Sequence, residues 1–256
     1  MKTLFLFLTA FCVSAATAQV GSVESGVYSW HERATAKTVT GETRPILDGT
    51  TTTLAHLEIQ ASTLAPGQTS HAGIAHGDLE ELVILKEGAL TVTIGDQQQV
   101  LGPGSVAVIL PEDGHGFENA GAAPVTYYVF QYKAKAPMDI ERGQNAGGSF
   151  MVDWNDVVME ETATGGRRQN FDRATAMFER FEMHVSTLKE NLTNHAAHTH
   201  QAEEFVLIIK SEVEMLVGES DHKASTGDLI FLASMIPHAL NNIGTGQTEY
   251  FAFQWQ

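Results

Sequence analysis

The chain is built from two copies of one sequence pattern, and this duplication constrains its fold more than any other feature. Matching residues lie 124 positions apart in the first part of each copy: Trp30/Trp154, Thr40-Gly41/Thr164-Gly165, Arg44/Arg168, Asp48/Asp172, His71/His195 and His76/His200. The loss of one residue then changes the offset to 123: Glu80-Glu81/Glu203-Glu204, Gly95/Gly218, Gly104/Gly227, His115/His238 and Asn119/Asn242. A repeat of this length predicts two homologous domains. We place them at residues 19–140 and 150–256.

Short runs of β-forming residues, separated by glycine-containing turns, fill both copies. They are Leu82–Leu85, Leu90–Ile94 and Val106–Leu110 in the first copy, and Phe205–Ile209, Val213–Val217 and Leu229–Leu232 in the second. No segment shows the 3.6-residue apolar period of a long helix. The pattern therefore predicts an all-β sandwich or barrel in each half.

The charge balance excludes one class of partner. The 256 residues include 15 Lys and Arg against 31 Asp and Glu, which gives a formal net charge of −16. Nucleic-acid grooves and anionic membrane surfaces both need clustered basic residues. We therefore expect no nucleic-acid partner.

The first residues are typical of a secretory signal peptide. Lys2 precedes the apolar run Leu4–Val13, and Ala16-Thr17-Ala18 forms a small-residue cleavage motif before Gln19. The apolar run is too short to span a bilayer as a helix, so we expect no membrane insertion. Residues 1–18 are predicted to be removed, which leaves a periplasmic or secreted protein without cysteine.

Histidines in the second copy indicate a metal site. Alternate residues of a strand share one face, so His198 and His200 can point into one cavity. Glu204 follows at the start of the next strand, and His238 can complete the set from another. Three imidazoles and one carboxylate suit Mn, Fe, Ni, Cu or Zn. An octahedral ion with four protein ligands keeps two positions for water or substrate.

These residues resemble the metal-binding motifs of the cupin superfamily. His198-x-His200-x3-Glu204 is similar to the first motif, although Ser211 stands where glycine is usual, and His238-x3-Asn242 is similar to the end of the second. The resemblance covers nearly the whole mature chain. With the duplication, it implies a bicupin, which consists of two tandem double-stranded β-helix (jelly-roll) barrels.

The first copy carries an altered version of the same motifs. His76-x4-Glu81 and His115 fit, but Ile74 stands where the first motif has its other histidine. His71 could substitute from a different backbone position. The first barrel therefore either holds a second ion, through His71, His76, Glu81 and His115, or keeps these residues for packing. One or two divalent ions (Mn, Fe, Ni or Zn) are expected per chain.

The resemblance implies a metal-dependent enzyme acting on a small polar organic molecule. The C-terminal segments Leu232–His238 and Tyr250–Phe253 are similar to the (S)-ureidoglycine aminohydrolase group of bicupins. The three-histidine, one-glutamate set is instead that of quercetinase-like and acireductone-type dioxygenases and of oxalate decarboxylases. Phe205, Phe231, Met235 and Phe253 would suit a flat aromatic substrate if they lined the cavity. The alternative is a non-catalytic, metal-containing protein that binds a sugar or another small ligand.

Other recurring residues have simpler interpretations. Glu80 and Glu203 should point away from the metal ligands on their strands, and we expect them to face solvent. Arg44 and Arg168 would clamp a substrate carboxylate or, on the simpler interpretation, form an ion pair between the halves. His184 is taken as an ordinary surface or core histidine. Because exposed strand edges are best covered by a partner, a homodimer is also predicted.

Overall fold

The computed structural model describes residues 21–256, except for the side chains of His71 and Ala72. The predicted signal peptide, residues 1–18, lies outside the described residues. Eleven strands precede the helix: β1 (Gly26–Tyr28), β2 (Ala36–Lys37), β3 (Gly41–Gly49), β4 (Leu54–Leu64), β5 (Thr69–Ile74), β6 (Glu80–Glu87), β7 (Leu90–Ile94), β8 (Gln97–Leu101), β9 (Val106–Ile109), β10 (His115–Glu118) and β11 (Val125–Ala134). After α1 (Ile140–Asn145) come β12 (Phe150–Val152), a 3-10 turn (Trp154–Asp156), β13 (Glu160–Glu161), β14 (Gly165–Arg173), β15 (Phe181–Leu188), β16 (Glu203–Lys210), β17 (Glu212–Val217), β18 (Ser220–Ser225), β19 (Leu229–Leu232), β20 (His238–Asn242) and β21 (Thr248–Trp255).

Each half forms a barrel from two antiparallel sheets. In the first half a seven-stranded sheet has the order β12-β9-β6-β11-β4-β3-β2, and a smaller sheet has the order β5-β10-β7-β8. In the second half the orders are β1-β19-β16-β21-β15-β14-β13 and β18-β17-β20. Side chains from both sheets fill the barrel interior; Val83, Val92 and Phe117 of the first half belong to one buried cluster. The predicted all-β class is confirmed.

Equivalent hairpins show how the repeated glycines shape both barrels. Gly95 follows β7 with a φ of 55°, and Gly218 follows β17 with a φ of 65°. Both values lie in the left-handed region, which glycine adopts without steric cost. The tight turns place β8 and β18 beside the preceding strand in each half.

The two halves exchange strands. β1 of the first half pairs with β19 of the second, with Val27 opposite Ile230. β12 of the second half pairs in the same way with β9 of the first, with Met151 opposite Ala107. Each seven-stranded sheet therefore contains one strand supplied by the other half of the chain.

The largest hydrophobic cluster lies between the barrels, where the two seven-stranded sheets face each other. Phe130 of the first half packs edge-on against Phe253 of the second at a centroid distance of 5.3 Å. Phe205 and Phe231 belong to the same buried cluster. These phenylalanines therefore fill the interface between barrels, and Met235 is 55% exposed. The hypothesis that they line the cavity of the metal site is wrong.

Two glutamates beside the predicted metal ligands connect the barrels. Glu203 is completely buried, and its carboxylate accepts hydrogen bonds from Thr51 Oγ1 (2.5 Å) and from the backbone N–H groups of Thr52 (2.9 Å) and Thr53 (3.3 Å). Glu80, equally buried, accepts from the Tyr132 hydroxyl at 2.7 Å and from two N–H groups of the second half. Both point away from the metal ligands as expected, but the predicted solvent exposure is wrong because the other barrel covers them.

The recurring arginines stack on the recurring tryptophans. The Arg44 guanidinium lies 4.3 Å from the centre of the Trp30 ring, and that of Arg168 lies 4.6 Å from Trp154. Arg44 also donates a hydrogen bond to the Trp30 carbonyl at 2.9 Å. Since each arginine is bound to its own half, the predicted ion pair between the halves is not formed. Stacking of this kind fixes the exchanged segments.

Between residues 21 and 256, no helix is long and apolar enough to cross a membrane.

Candidate metal centre

The second barrel brings the four predicted ligands together at one end of its interior. Glu204 lies on β16 and His238 begins β20, while His198 and His200 lie in the segment that leads into β16. A pair of backbone hydrogen bonds fixes that segment: the His198 N–H donates to the His238 carbonyl at 3.2 Å, and the His238 N–H donates back at 3.0 Å. These two hydrogen bonds hold together His198 and His238, which are 40 positions apart in the sequence.

The donor atoms are close enough to share one ion. The ring nitrogens of His198, His200 and His238 lie within 4.8 Å of one another. Glu204 Oε2 lies 3.1 Å from His200 Nε2 and 3.4 Å from His238 Nε2. Three imidazoles therefore cluster at one point, and the Glu204 carboxylate adjoins two of them, His200 and His238.

Hydrogen bonds to the backbone orient two of these histidines for metal binding. His200 Nδ1 lies 2.9 Å from the Ala202 carbonyl, and His238 Nδ1 lies 2.9 Å from the Ile236 carbonyl. A carbonyl only accepts, so each Nδ1 carries the proton and Nε2 of a neutral ring presents a lone pair. Both Nε2 atoms then face a carboxylate oxygen, which also only accepts. An Nε2 lone pair and a carboxylate oxygen repel each other at this distance unless a cation, either a proton or a metal ion, lies between them.

The electrostatics differ among the three histidines. Burial, together with the neighbouring imidazoles, lowers the pKa of His198, and burial lowers the pKa of His238. The hydrogen bond to Glu204 instead raises the pKa of His200. Imidazole nitrogens beside a carboxylate form a donor set suited to a divalent transition metal.

His195 lies at the rim of this cluster. Its ring packs edge-on against His198 at a centroid distance of 4.1 Å. Its Nδ1 lies 3.0 Å from the Ala196 carbonyl, and its Nε2 lies 3.1 Å from the Asn194 amide. His195 is exposed and supports the His198 ring from outside.

The first barrel assembles a smaller set. His76 Nε2 lies 3.1 Å from Glu81 Oε1, and His115 Nε2 lies 3.0 Å from Glu81 Oε2. Although burial alone would raise it, the pKa of Glu81 is lowered by the hydrogen bond with His115. These three residues are also close enough to share an ion. At the position of His198 the first barrel has Ile74, which pairs with His115 and is 43% exposed.

The fourth predicted ligand of the first barrel is His71. Its backbone lies in β5 opposite Phe117, which is two residues from His115. Its side chain lies outside the described part of the structure. Its role as a ligand stays a prediction.

A cavity of about 350 Å³ opens inside the second barrel beside the metal-ligand cluster. Its wall also includes Arg167, His184 and Gln254, and Glu182 lies behind them. Sequence reasoning missed this polar wall and classed His184 as an ordinary histidine. The alternation along β15 contains the missed signal: Glu182, His184 and Ser186 occupy one face, between the apolar residues of the other.

Comparison with solved structures shows several proteins of the same architecture. The glyoxylate-induced protein from Pseudomonas aeruginosa superposes with a TM-score of 0.71 at 15% identity, covering 95% of this chain and 93% of that one. Oxalate decarboxylase from Lactobacillus farciminis gives 0.71 at 13% identity, covering 93% and 88%. AerE from Microcystis aeruginosa gives 0.66 at 13% identity, covering 88% and 97%. At such identities the likeness shows the fold.

Comparison at the sequence level identifies the family through its domain model, although no curated protein is a significant match to the sequence. The family model described as "Cupin domain" matches twice, at residues 61–130 and 184–253, and the two matches together cover more than half of the chain. Each match includes the strands that carry a donor set. The protein is therefore a member of the cupin family with two tandem cupin domains.

Proposed function

We propose that the protein is an exported, metal-dependent enzyme that acts on a small polar organic molecule in its C-terminal barrel. His198, His200, Glu204 and His238 would hold one divalent ion, either Mn, Fe, Ni or Zn. His76, Glu81 and His115, with His71, would form a weaker second site. Export depends on the predicted signal peptide, and a homodimer remains part of the proposal.

One observation carries this proposal: the four predicted ligands border a cavity whose wall also carries polar side chains, among them Arg167 and His184. A volume of about 350 Å³ is at the small end of the range for ligand sites. Arg167 and His184 give the wall groups that can bind and orient a polar substrate. A metal site kept only for stability would be closed by protein on every side.

Residues of the second barrel would orient the metal ligands and leave space for the substrate. When bound, the metal would polarise a substrate oxygen as a Lewis acid. The carbonyls of Ala202 and Ile236 hold the His200 and His238 rings in the orientation that directs Nε2 inward. Polar groups on the opposite wall leave room for a substrate between them and the ion.

The polar wall favours some of the reactions considered above. The phenylalanines that would have suited a flat aromatic substrate lie between the barrels, so a quercetinase-like activity loses its structural support. A small carboxylic acid fits better, because Arg167 lines the same cavity. Decarboxylation of oxalate and removal of ammonia from a small amino-acid derivative are therefore the first reactions to test.

Metal content tests the proposal directly. The mature chain is purified without chelators, and metals per chain are counted by elemental mass spectrometry for the wild type and for the His198→Ala/His200→Ala variant. We expect this variant to lose one ion per chain. The matched control is His76→Ala/His115→Ala in the first barrel, which should keep the ion of the second barrel.

An activity assay distinguishes the proposed enzyme from the non-catalytic alternative. Oxalate and ureidoglycine are incubated with metal-loaded protein, and release of CO2 or ammonia is measured with Glu204→Gln as the inactive comparison. Metal binding without turnover, combined with affinity for sugar acids, would favour the non-catalytic alternative. A wild type that binds no metal, or a double variant with unchanged metal content, would refute the proposal.

A further inference from the structure

Glu182, His184 and Arg167 form a polar network beside the cavity and are not among the predicted metal ligands. His184 Nδ1 lies 2.9 Å from Glu182 Oε1, and Arg167 Nη2 lies 2.9 Å from the same oxygen. Gln169 Nε2 donates to that oxygen at 2.8 Å, and Gln254 Nε2 lies 3.4 Å from the other. Glu182 is therefore the centre of a network that joins β14, β15 and β21.

The network fixes the state of Glu182. Burial alone would raise its pKa, but the hydrogen bond with His184, together with Gln169 and the charge of Arg167, lowers the pKa of Glu182 to about 2. The carboxylate is thus ionised throughout the physiological range. Its side chain is only 2% exposed, so it does not reach the cavity. It holds the two residues that do.

The orientation of His184 follows from this contact. An ionised carboxylate only accepts, so Nδ1 of His184 carries a proton. Nε2 is the ring nitrogen directed away from Glu182, and the ring lines the cavity. Arg167 is 46% exposed and uses Nη2 for Glu182 and Gln169, which leaves Nη1 and Nε as donors for an anion.

The first barrel lacks this arrangement at the same positions. The counterpart of Arg167 is Thr43, and the counterpart of His184 is Gln60. Thr43 Oγ1 donates to Gln60 Oε1 at 2.7 Å, which gives an uncharged pair. Both residues fit the same fold, so Arg167 and His184 of the second barrel are not required by the architecture.

Strand register gives the separation between the network and the metal ligands. Gln254 on β21 lies opposite Glu204 on one side and opposite Glu182 on the other. Two strand spacings of about 4.8 Å therefore separate the backbones of Glu204 and Glu182, or about 10 Å. Arg167, His184 and the predicted metal ligands line the same cavity, so one short-chain molecule bound there could contact both groups.

We propose that Arg167 and His184, held by Glu182, form a substrate subsite for the carboxylate of a short-chain acid whose other end binds at the metal. This inference rests on the proposed function and names its substrate class. Arg167 binds the carboxylate, and His184 exchanges a proton with the substrate. Glu182 is a positioning residue.

The proton transfer is balanced within the network. A proton leaves the substrate and forms a bond with the lone pair of His184 Nε2, while the electron pair stays on the substrate. The resulting imidazolium is neutralised by Glu182 on β15. Other titratable or charged groups that face His184 from neighbouring strands and across the cavity are Arg167 on β14, Tyr250 on β21, Glu204 on β16 and the metal-ligating histidines.

Calorimetry with succinate tests the subsite without relying on turnover. Metal-loaded wild type, Arg167→Thr and His184→Gln are titrated with succinate in two buffers of different ionisation enthalpy. Each substitution installs the residue that the first barrel already carries. We expect Arg167→Thr to weaken succinate binding by about tenfold to a hundredfold, because a charge-assisted pair is lost. Succinate brings no proton to the site at neutral pH, so the lone pair of His184 Nε2 would take its proton from the buffer, and we expect His184→Gln to abolish this uptake of up to about one proton per site.

Two further variants complete the design. Arg167→Lys keeps the charge without the planar fork and should show an intermediate loss of affinity, which also covers the case in which Arg167→Thr fails to fold. Gln60→Ala in the first barrel is the matched control and should change neither affinity nor proton uptake.

The outcomes separate this inference from the proposed function. Metal content is measured on every variant, and we expect it to match the wild type. Full metal content with unchanged succinate affinity in Arg167→Thr would refute the subsite and leave the metal-dependent function standing. Absence of metal in the wild type would refute the function instead. No succinate binding to the metal-loaded wild type, or equal proton uptake in His184→Gln, would also overturn the subsite.

Discussion

Replacing Glu203 by alanine removes the carboxylate that holds the second barrel to the first. Glu203 is fully buried and accepts four hydrogen bonds from Thr51, Thr52 and Thr53. The two threonine hydroxyls can rotate toward other acceptors, but the N–H groups of Thr52 and Thr53 cannot. A hydrogen bond to a charged group contributes about 1.5–3 kcal/mol, so we expect Glu203→Ala to lower the free energy of unfolding by about 3–5 kcal/mol.

Urea denaturation followed by far-ultraviolet circular dichroism at 25 °C measures this change. Glu80→Ala should have a smaller effect, because burial raises the pKa of Glu80 to about 7 and its hydrogen bonds from Tyr132 and two N–H groups of the second half are only partly charge-assisted near neutral pH. Glu212→Ala, at an exposed position of β17, is the control and should stay within about 0.5 kcal/mol of the wild type. A loss below about 1 kcal/mol in both glutamate variants would refute the inference that these carboxylates connect the barrels.

Three further predictions follow from the packing and the charges. Gly104→Ala should destabilise the fold by about 2–3 kcal/mol in urea titrations, because its φ is 86° and a Cβ there would lie 2.4 Å from the Trp154 ring. Chelation should lower the melting temperature by about 5–10 °C relative to protein in hundredfold metal excess over Kd, and added metal should restore it. Because the folded pKa of Glu182 is about 2, below its ordinary value of 4.5, its stabilisation should be complete above pH 4.5. The wild type should therefore be about 1–2 kcal/mol more stable than Glu182→Gln above pH 4.5, after allowance for screening, and this difference should disappear as the pH falls toward 2. A difference in unfolding free energy that stays constant between pH 4.5 and pH 2 would contradict this.

The sequence was informative where a local pattern determines the structure. The 124-residue and 123-residue offsets predicted two equivalent units, and turn glycines such as Gly95 and Gly218 bounded the strands correctly. The spacing of His198, His200 and Glu204 predicted that these side chains meet, since few residues separate them. His238 could be added because it follows the Gly227 turn and the Pro237 break, which place it on another strand.

Features that depend on how the halves pack could not be predicted in this way. Strand alternation correctly predicts that Glu80 and Glu203 point away from the metal ligands. That this outward face is buried depends on the packing of the other barrel against it, which the strand sequence does not contain. His184 lies on a strand with both faces covered, so alternation alone does not reveal which face borders a cavity. Arg167 reaches Glu182 across the register of β14 and β15, and this contact has no signature in either segment alone.

The mutual exchange of β1 and β12 makes the chain equivalent to a two-fold symmetric dimer whose subunits have been joined covalently. In such a dimer of identical subunits every substitution appears twice, so loss of one metal ligand would impair both sites. In the joined chain it appears once. Ile74 can therefore stand opposite His115 in one barrel while His198 stands opposite His238 in the other. Joining the subunits thus allows the two barrels to carry different side chains at equivalent positions.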